Sequence, residues 1–132
     1  EALKYLHPGT EYFKLINRGK KNKIYGFLIG LTDKLNYKSE NYLWFSKRYS
    51  SFMYIDRIVI KEESIGLGLG TMLYNDLIDY SKNNFKNLIC EYNIKPMNKI
   101  SKKFHEKFGF KRVGNQITDG GTKEVLMMEY SL

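Results

Sequence analysis

Apolar residues along the chain fall into short β-branched runs in the first half and into helical spacings further on. The segments EYFKLIN (11–17) and KIYGFLIGLTD (23–33) are typical of strands, and the basic turn RGKKN (18–22) between them predicts a hairpin. FMYIDRIVIKE (52–62) is almost continuously apolar, which predicts a central strand covered on both faces. The polar and aromatic stretch 34–51 has no clean period, so we expect a long loop with at most a short helical turn.

Two helices and three more strands are predicted in the second half. Helical spacing after residue 70 indicates a helix packed over much of its circumference by Met72, Leu73, Tyr74, Leu77, Ile78 and Tyr80. NLICEYNI (87–94) is typical of a buried strand, and NKISKKFHEKF (98–108) of a helix that ends at Gly109. FKRVGNQIT and KEVLMMEYSL predict an antiparallel pair around DGG (119–121). The order β-β-β-α-β-α-β-β implies an α/β fold, a mixed sheet with helices on both faces in three layers.

Composition limits the class of protein. With 132 residues, 42% of them apolar, the chain is expected to form a single domain over 1–132. Its one cysteine, Cys90, lies in an apolar run, which is typical of a reducing compartment, and we expect a cytoplasmic protein without a membrane partner. The net charge of +8 favours phosphate-bearing ligands, but the lysines are dispersed, so nucleic acid is a disfavoured partner.

Three glycines, Gly66, Gly68 and Gly70, separate the central strand from the first predicted helix. The spacing matches neither the P-loop, which needs a Lys-Ser or Lys-Thr, nor the dinucleotide-binding G-x-G-x-x-G pattern. A strand, a G-x-G-x-G bend and a helix N-terminus together present backbone amides that suit a pyrophosphate. The alternative is a tight strand-to-helix turn required only by close packing.

The second predicted helix carries an uncharged polar stripe. On a helical wheel, Ile100, Phe104 and Phe108 form a core stripe, and the lysines face solvent. Asn98, Ser101 and His105 fall together between core and water, which favours contact with a ligand. The alternative is that Asn98 and Ser101 cap or start the helix and that His105 is a boundary residue.

The stretches YIDRIVIKEESIGLGLGTMLYNDLIDYSK (54–82) and CEYNIKPMNKISKKFHEKFGF (90–110) resemble the GNAT superfamily of acyl-CoA-dependent N-acetyltransferases. The resemblance covers roughly residues 10–132 and is closest to a subgroup of small predicted acetyltransferases with a YxDRIVx, CExN and FHxxxGF pattern. It implies a mixed, mostly antiparallel sheet. The family normally has a first strand and one or two helices before the hairpin, so we expect this front part to be lacking or truncated.

The resemblance also implies residues that bind acetyl-CoA as the cosubstrate. The backbone of the RIVI strand would pair with the pantetheine arm, the bend would bind the pyrophosphate, and positions in the second motif would touch the arm. Ile65 stands where the family usually has Arg or Gln, which would weaken the grip on phosphate. Asn93 lies where the family's sheet splays to admit the cofactor. The implied set is Ile58, Val59, Ile60, Gly66, Leu67, Gly68, Leu69, Gly70, Thr71, Asn93, Asn98, Ser101 and Phe104.

His105 and Glu91 are the candidate catalytic residues. His105 occupies a position where the family often has a Tyr that protonates the departing thiolate, and a histidine can donate a proton near neutrality. Glu91, or Asp56 on the neighbouring strand, is a candidate base for the attacking amine; the alternative for both is a structural role. An acyl-enzyme on Cys90 is disfavoured because no basic residue adjoins it.

The sequence therefore predicts an acetyl-CoA-dependent N-acetyltransferase that transfers acetyl directly to an amine of a small molecule or peptide. No metal is expected, and a homodimer is left open. The alternative is a non-catalytic acyl-CoA-binding module with a GNAT-like fold. We expect the acceptor to be walled by aromatic residues of the loop, Tyr37, Tyr42, Trp44, Phe45 and Tyr49.

Overall fold

A computed structural model describes residues 7–18, 23–95 and 97–132. The strands are β1 (Thr10–Arg18), β2 (Lys23–Thr32), β3 (Phe52–Ile60), β4 (Asn87–Lys95), β5 (Lys111–Thr118) and β6 (Lys123–Ser131). The helices are α1 (Glu40–Ser46), α2 (Leu69–Ser81) and α3 (Lys99–Phe108). The predicted hairpin is confirmed, although residues 19–22 of its turn lie outside the described residues. No helix in the described ranges is long and apolar enough to cross a membrane.

The six strands form one mixed sheet in the order β1-β2-β3-β4-β6-β5. β3 and β4 are parallel, and the other neighbouring pairs are antiparallel. Helix α2 makes the crossover between β3 and β4, as parallel neighbours require. The predicted mixed, mostly antiparallel sheet is confirmed.

Helices cover both faces of the sheet, which confirms the three layers. Alternate residues of β3 pack on the two faces of the sheet, because successive side chains of a strand point in opposite directions. Met53 and Ile55 pack with residues of α2 and α3 on one side, which we call the α2/α3 face. Phe52 and Tyr54 pack with residues of α1 on the other side, the α1 face.

The predicted loop 34–51 contains a helix of its own, α1, seven residues long. Ser39 caps it by accepting a hydrogen bond from the Tyr42 amide, and both Tyr42 and Phe45 are fully buried. Trp44 lies over β5 at Gly114, where an added Cβ would stand 2.6 Å from the indole ring. So short a helix has too few turns for a recognisable period. Its buried positions can therefore be identified only from their packing in the structure.

The buried faces of α2 and α3 are narrower than the sequence predicted. In α2 the residues Leu73, Tyr74, Leu77 and Ser81 are buried, whereas Met72 is 60% exposed and Tyr80 42% exposed. In α3 the predicted core residue Ile100 is 64% exposed. A helical wheel shows which residues share a side, but the width of the contact depends on the surface opposite.

The prediction that β3 is covered on both faces holds only for its first half. Phe52, Met53, Tyr54 and Ile55 are all buried, and from Asp56 onwards the side chains are only half-buried or exposed. The pairing with β2 skips one residue here, since Ile29 faces Arg57 and Gly30 faces Ile55. Asp56 is therefore the extra residue of a β-bulge, a feature that bends a strand and turns its side chains.

Candidate functional site

The parallel strands β3 and β4 separate beyond their first residues. In the described residues their pairing runs from Phe52 with Asn87 to Tyr54 with Ile89 and extends no further. The second half of β3 stays paired with β2 on its other edge, up to Ile60 with Gly26. Beyond Tyr54, the edge of β3 that faces β4 thus carries backbone groups without a strand partner among the described residues. We call the space between 55–60 and 90–95 the gap.

A cleft of about 860 Å³ lies between the second half of β3, the glycine bend and helix α3. Its walls are mostly apolar, with backbone at the bend and a few polar side chains, which is the usual make-up of a small-molecule site. Its described lining residues are Ile58, Val59, Ile60, Ser64, Ile65, Gly66, Gly68, Leu69, Gly70, Thr71, Asn98, Ile100, Ser101, Phe104, His105, Lys107 and Phe108.

The three glycines of the bend are needed for two different reasons. Gly66 and Gly68 have φ angles of +92° and +81°, a left-handed conformation that other residues adopt only with strain. A Cβ added at either would meet no atom of the described residues within 4 Å, and both glycines line the cleft. At Gly70 an added Cβ would lie 3.0 Å from the Phe104 ring, so this glycine lets α2 pack closely against α3.

The bend leads straight into the N-terminus of α2. Gly68 is the N-cap residue and offers no side chain, and the first helical hydrogen bond runs from the Met72 amide to the Gly68 carbonyl at 3.1 Å. The amides of Leu69, Gly70 and Thr71 come before that bond and have no acceptor within the helix. Three amide donors and the positive end of the helix dipole therefore face the cleft, an arrangement that suits an anion.

Asn98 and Ser101 line the cleft and also start α3. The Asn98 side-chain oxygen accepts a hydrogen bond from the Ser101 amide at 3.0 Å, which makes Asn98 the N-cap of the helix. The capping alternative is thus correct for Asn98. Capping and lining the cleft are compatible here because the helix begins at the wall of the cleft.

His105 borders the same cleft, but its ring nitrogens are engaged inside the protein. The side chain is 3% exposed. Nδ1 lies 2.7 Å from the Ser101 carbonyl, an acceptor, so Nδ1 carries the proton. Nε2 lies 2.6 Å from the Tyr74 hydroxyl and accepts its hydrogen bond. Burial lowers the pKa of His105, more than the bond to Ser101 raises it, which favours this neutral ring.

These contacts disfavour the role of His105 as a proton donor, which stays a prediction. A neutral ring whose single N–H is bonded to Ser101 has no second proton for a leaving thiolate. The sequence placed His105 at the boundary of core and water, whereas it lies in the core beside Tyr74. Asn98, Ser101 and His105 all line the cleft, but His105 lies deeper in the core than the helical wheel indicated.

Glu91 lies on the opposite face of the sheet from His105. It follows Ile89 by two residues on β4 and so points to the α1 face, where its carboxylate accepts a hydrogen bond from the Tyr54 hydroxyl at 2.8 Å. Burial raises the pKa of Glu91 to about 7; the Tyr54 hydrogen bond works against that rise and the nearby Asp56 carboxylate adds to it. The Asp56 carboxylate itself accepts a hydrogen bond from the Tyr37 hydroxyl at 2.8 Å.

The predicted aromatic wall is only partly available to a ligand. Tyr42 and Phe45 are fully buried and belong to the core of the α1 face. Tyr49 donates a hydrogen bond of 2.5 Å to Glu129, and the Trp44 ring is covered by the Arg48 guanidinium 3.8 Å from its centroid. Of the five predicted aromatic residues, Tyr37 is the one that donates a hydrogen bond to Asp56, a carboxylate next to the gap.

Cys90 points to the α2/α3 face and is buried, with 2% exposure. Burial raises the pKa of its thiol, so the reactive thiolate is disfavoured.

The cleft brings together most of the predicted cofactor residues. Three predicted site residues lie outside its lining: Glu91 on the α1 face, Leu67, which is 68% exposed, and Asn93. The carbonyl of Asn93 accepts a hydrogen bond of 2.9 Å from the Asn98 amide and so shapes the turn from β4 into α3.

Five lining residues were not among the predicted site residues: Ser64, Ile65, Ile100, Lys107 and Phe108. Ile65 had been singled out only because the family usually has Arg or Gln at that position. Ile100 and Phe108 had been assigned to the core and Lys107 to the solvent face. Lys107 follows Phe104 by three residues, a spacing that places both on one side of a helix and could have pointed to it. Ser64 lies in a short turn before the bend, and no sequence pattern singles it out.

Comparisons with known proteins agree with this geometry. Residues 7–110 match the model of the acetyltransferase (GNAT) family. No curated protein sequence matches the chain. Similar solved structures include Arabidopsis thaliana NAA60 with acetyl-CoA, at a TM-score of 0.68 and 16% identity over 87% of this chain and 71% of that one. NAA60 with a bisubstrate analogue has a TM-score of 0.64 and 18% identity over 83% of this chain and 65% of that one.

A putative streptothricin acetyltransferase from Bacillus anthracis, solved with acetyl coenzyme A, has a TM-score of 0.68 and 18% identity, covering 98% of this chain and 67% of that one. The chain thus spans about two thirds of the length of these neighbours. Identities this low support the fold, and the family match covers well over half of the 132 residues. The chain belongs to the GNAT acetyltransferase family.

Proposed function

We propose that this protein is an acetyl-CoA-dependent N-acetyltransferase that moves the acetyl group directly onto an amine of a small molecule or peptide. The observation that carries the proposal is that Ile58–Ile60 of β3 border both the gap and the cleft that extends to the glycine bend. A long ligand with an anionic end and an amide-rich arm fits such a path. The acetyl-CoA in similar structures of Arabidopsis and Bacillus acetyltransferases is a ligand of this shape.

The phosphates of acetyl-CoA would meet the free amides of Leu69, Gly70 and Thr71 at the bend. Its pantetheine arm would run along the unpaired edge of β3 at Ile58–Ile60 and exchange backbone hydrogen bonds with it, as an added strand does. The thioester would then reach the gap. Asn98, Ser101 and Phe104 would border the arm from α3.

The acceptor amine would approach from the other side of the sheet. The cofactor cleft opens beside α2 and α3, whereas Glu91 and Asp56 point to the α1 face. The two substrates would thus meet in the gap without sharing a pocket, which suits direct transfer in a ternary complex. Two carboxylates on the acceptor side favour a cationic amine over an anionic one.

Glu91 would be the general base. A pKa of about 7 leaves a substantial fraction of the carboxylate ionised at neutral pH and still basic enough to take a proton from an ammonium group. The neutral amine attacks the thioester carbonyl, a C–N bond forms, and a backbone N–H of the β3 edge stabilises the oxyanion. The nitrogen of the intermediate then loses its second proton to water, the C–S bond breaks to leave the neutral amide, and the coenzyme A thiolate takes a proton from solvent in the open cleft.

In this scheme His105 is a positioning residue. Its hydrogen bond with Tyr74 ties α3 to α2 beside the cleft, and its bond to the Ser101 carbonyl, within α3, fixes the orientation of the ring. The role as acid that the sequence suggested would require the ring to give up one of these bonds and gain a proton against the effect of burial.

Thermal unfolding with and without acetyl-CoA tests the proposal, with ATP and a short RNA as controls. A ligand that binds only the folded state raises its stability by about 2.7 kcal/mol at a hundredfold excess over Kd. We expect a clear rise in Tm with acetyl-CoA and coenzyme A, and little change with ATP or RNA. The absence of any shift with acetyl-CoA would contradict the proposal.

Turnover separates the enzyme from the alternative of a binding module. A panel of primary amines, from small cationic amines to peptides, is incubated with acetyl-CoA while release of the free thiol is followed. Acetyl-CoA binding together with amine-dependent thiol release supports the transferase. Binding without release for any amine supports the acyl-CoA-binding module instead.

A further inference from the structure

The cleft has very little positive charge for a site that would bind the phosphates of a cofactor. Among its described lining residues, Lys107 of α3 is the one that carries a permanent charge. Ile65, at the start of the bend, is apolar and 47% exposed. The bend therefore offers its ligand backbone amides but no cationic side chain of its own.

Lys107 is available to a ligand. No carboxylate in the described ranges lies within 4.0 Å of its ammonium group. Other lysines in the neighbourhood are engaged: Lys102 pairs with Glu106 at 2.9 Å on α3, and Lys61 before the bend pairs with Glu63 at 2.9 Å. Lys107 thus differs from these two in having a free charge and in lining the cleft.

The packing of the two helices directs Lys107 towards the bend. The Phe104 ring contacts the first turn of α2 at Gly70. Lys107 follows Phe104 by three residues and lies on the same side of α3. Its flexible side chain and the free amides of α2 therefore border one cleft from two sides.

We propose that Lys107 binds a phosphate group of the cofactor and supplies the positive charge that position 65 lacks. The inference rests on the proposed function, since it assumes that coenzyme A occupies the cleft. Coenzyme A carries a diphosphate and a ribose 3′-phosphate, and a lysine binds either as a point charge. A phosphate held by a side chain from α3 and by amides from α2 also bridges the two helices.

Calorimetric titration with coenzyme A tests the proposal on three proteins: the wild type, Lys107→Gln and Lys103→Gln. Lys103 is the matched control, because it is an exposed lysine of the same helix outside the cleft. A hydrogen bond to a charged group contributes about 1.5 kcal/mol or more, so we expect Lys107→Gln to raise Kd about tenfold. Lys103→Gln should change Kd less than about twofold, since its charge acts only at a distance.

The same titration with 3′-dephospho-coenzyme A identifies the phosphate. If Lys107 binds the 3′-phosphate, the wild type and Lys107→Gln bind the dephosphorylated ligand equally. If Lys107 binds the diphosphate, the tenfold difference between the two proteins remains. Either result supports the proposal.

Restoring a positive charge at the bend provides a second test of the role of Lys107. In a Lys107→Gln background, Ile65→Arg returns a cation to the bend and should recover most of the lost affinity. Equal Kd values for wild type and Lys107→Gln towards coenzyme A would overturn the role of Lys107 while leaving the proposed function intact. A wild type that does not bind coenzyme A at all would overturn the proposed function and this inference with it.

Discussion

Glu91 and His105 lie on opposite faces of the sheet, and burial moves their pKa values in opposite directions. Glu91 lies on the α1 face, where Tyr54 of β3 donates a hydrogen bond to it, and His105 lies among the residues of α2 and α3. Burial disfavours the charged form of each group. For the Glu91 carboxyl that raises the pKa to about 7, and for the His105 imidazole it lowers the pKa.

Burial therefore makes Glu91 better suited to act as a base and His105 less suited to act as an acid. A carboxyl whose pKa approaches neutrality becomes a better base at the pH where amines must be deprotonated. An imidazole whose pKa falls below its ordinary value loses the proton it would have to donate. A residue type that suits a reaction in general can thus be unsuited to it at a given depth in the core.

Replacing Glu91 gives the largest effect that the comparison predicts. Glu91→Gln keeps the size of the side chain and removes the base, so we expect kcat to fall about a hundredfold or more. The Kd of coenzyme A should stay the same, because Glu91 lies outside the cofactor cleft. Glu106→Gln, an exposed carboxyl on α3, is the control and should keep wild-type turnover. A kcat for Glu91→Gln within about threefold of the wild type would remove Glu91 from the mechanism.

The pH profile of kcat tests the raised pKa itself. Glu91 must be deprotonated to act as a base, so kcat should rise with pH around its pKa of about 7. Between pH 6 and pH 8 the active fraction, and with it kcat, should increase about tenfold. Glu91→Asp should retain a rising limb and Glu91→Gln should lose it. A wild-type profile that is flat over this range would contradict the assignment.

A substitution in the glycine bend tests whether cofactor binding is separate from the chemistry at Glu91. Gly68→Ala forces a left-handed conformation on alanine, at a cost of about 1 kcal/mol of stability, and puts a methyl group into the cleft. We expect the Kd of acetyl-CoA to rise several-fold with little change in kcat at saturation.

Gly120→Ala is the matched control for that experiment. Gly120 also has a left-handed φ, +64°, with open space around an added Cβ, but it lies in the turn before β6, outside the cleft. Its stability should fall by about the same amount as that of Gly68→Ala. Equal acetyl-CoA affinity in both variants would mean that the bend serves packing alone.

His105 is expected to show the smallest effect on turnover and a larger effect on stability. His105→Ala leaves a cavity and removes the acceptor of the buried Tyr74 hydroxyl, which should cost about 2–3 kcal/mol of unfolding free energy. The kcat of the folded variant should stay within about tenfold of the wild type, because the one N–H of the neutral ring is bonded to the Ser101 carbonyl. The two quantities are measured by denaturant unfolding and by saturated turnover below the Tm of the variant.

The opposite pattern would restore the acid role of His105. A loss of kcat above a hundredfold, with stability unchanged, is expected of a group that acts on the reacting atoms. Tyr74→Phe sharpens the distinction because it removes the hydroxyl that engages Nε2 and keeps the ring. If turnover rises in Tyr74→Phe, then the hydrogen bond from Tyr74 restrains an acid at His105.

Strong local patterns allowed the fold to be predicted from the sequence. The strand 52–60, the glycine bend and the helix that ends at Gly109 each follow from periodicity and turn chemistry, and the structure has all three. Where α1 forms, the sequence predicted a loop with no more than a short helical turn, because two turns are too short to show a period. The exposure of Met72 and Ile100 was missed because the surface opposite a helix, not its own pattern, decides how much of it is buried.

By itself, then, the sequence determined the order of elements, the chemistry of the glycine bend and most of the residues that line the cleft. The tertiary structure alone decided which face of the sheet each candidate acid or base occupies and how far each is removed from water. It also decided that Lys107 turns to the cleft while Lys103 does not. The physical reason is that backbone preferences act between neighbours in sequence, whereas burial and pKa depend on residues that only the folded chain brings together.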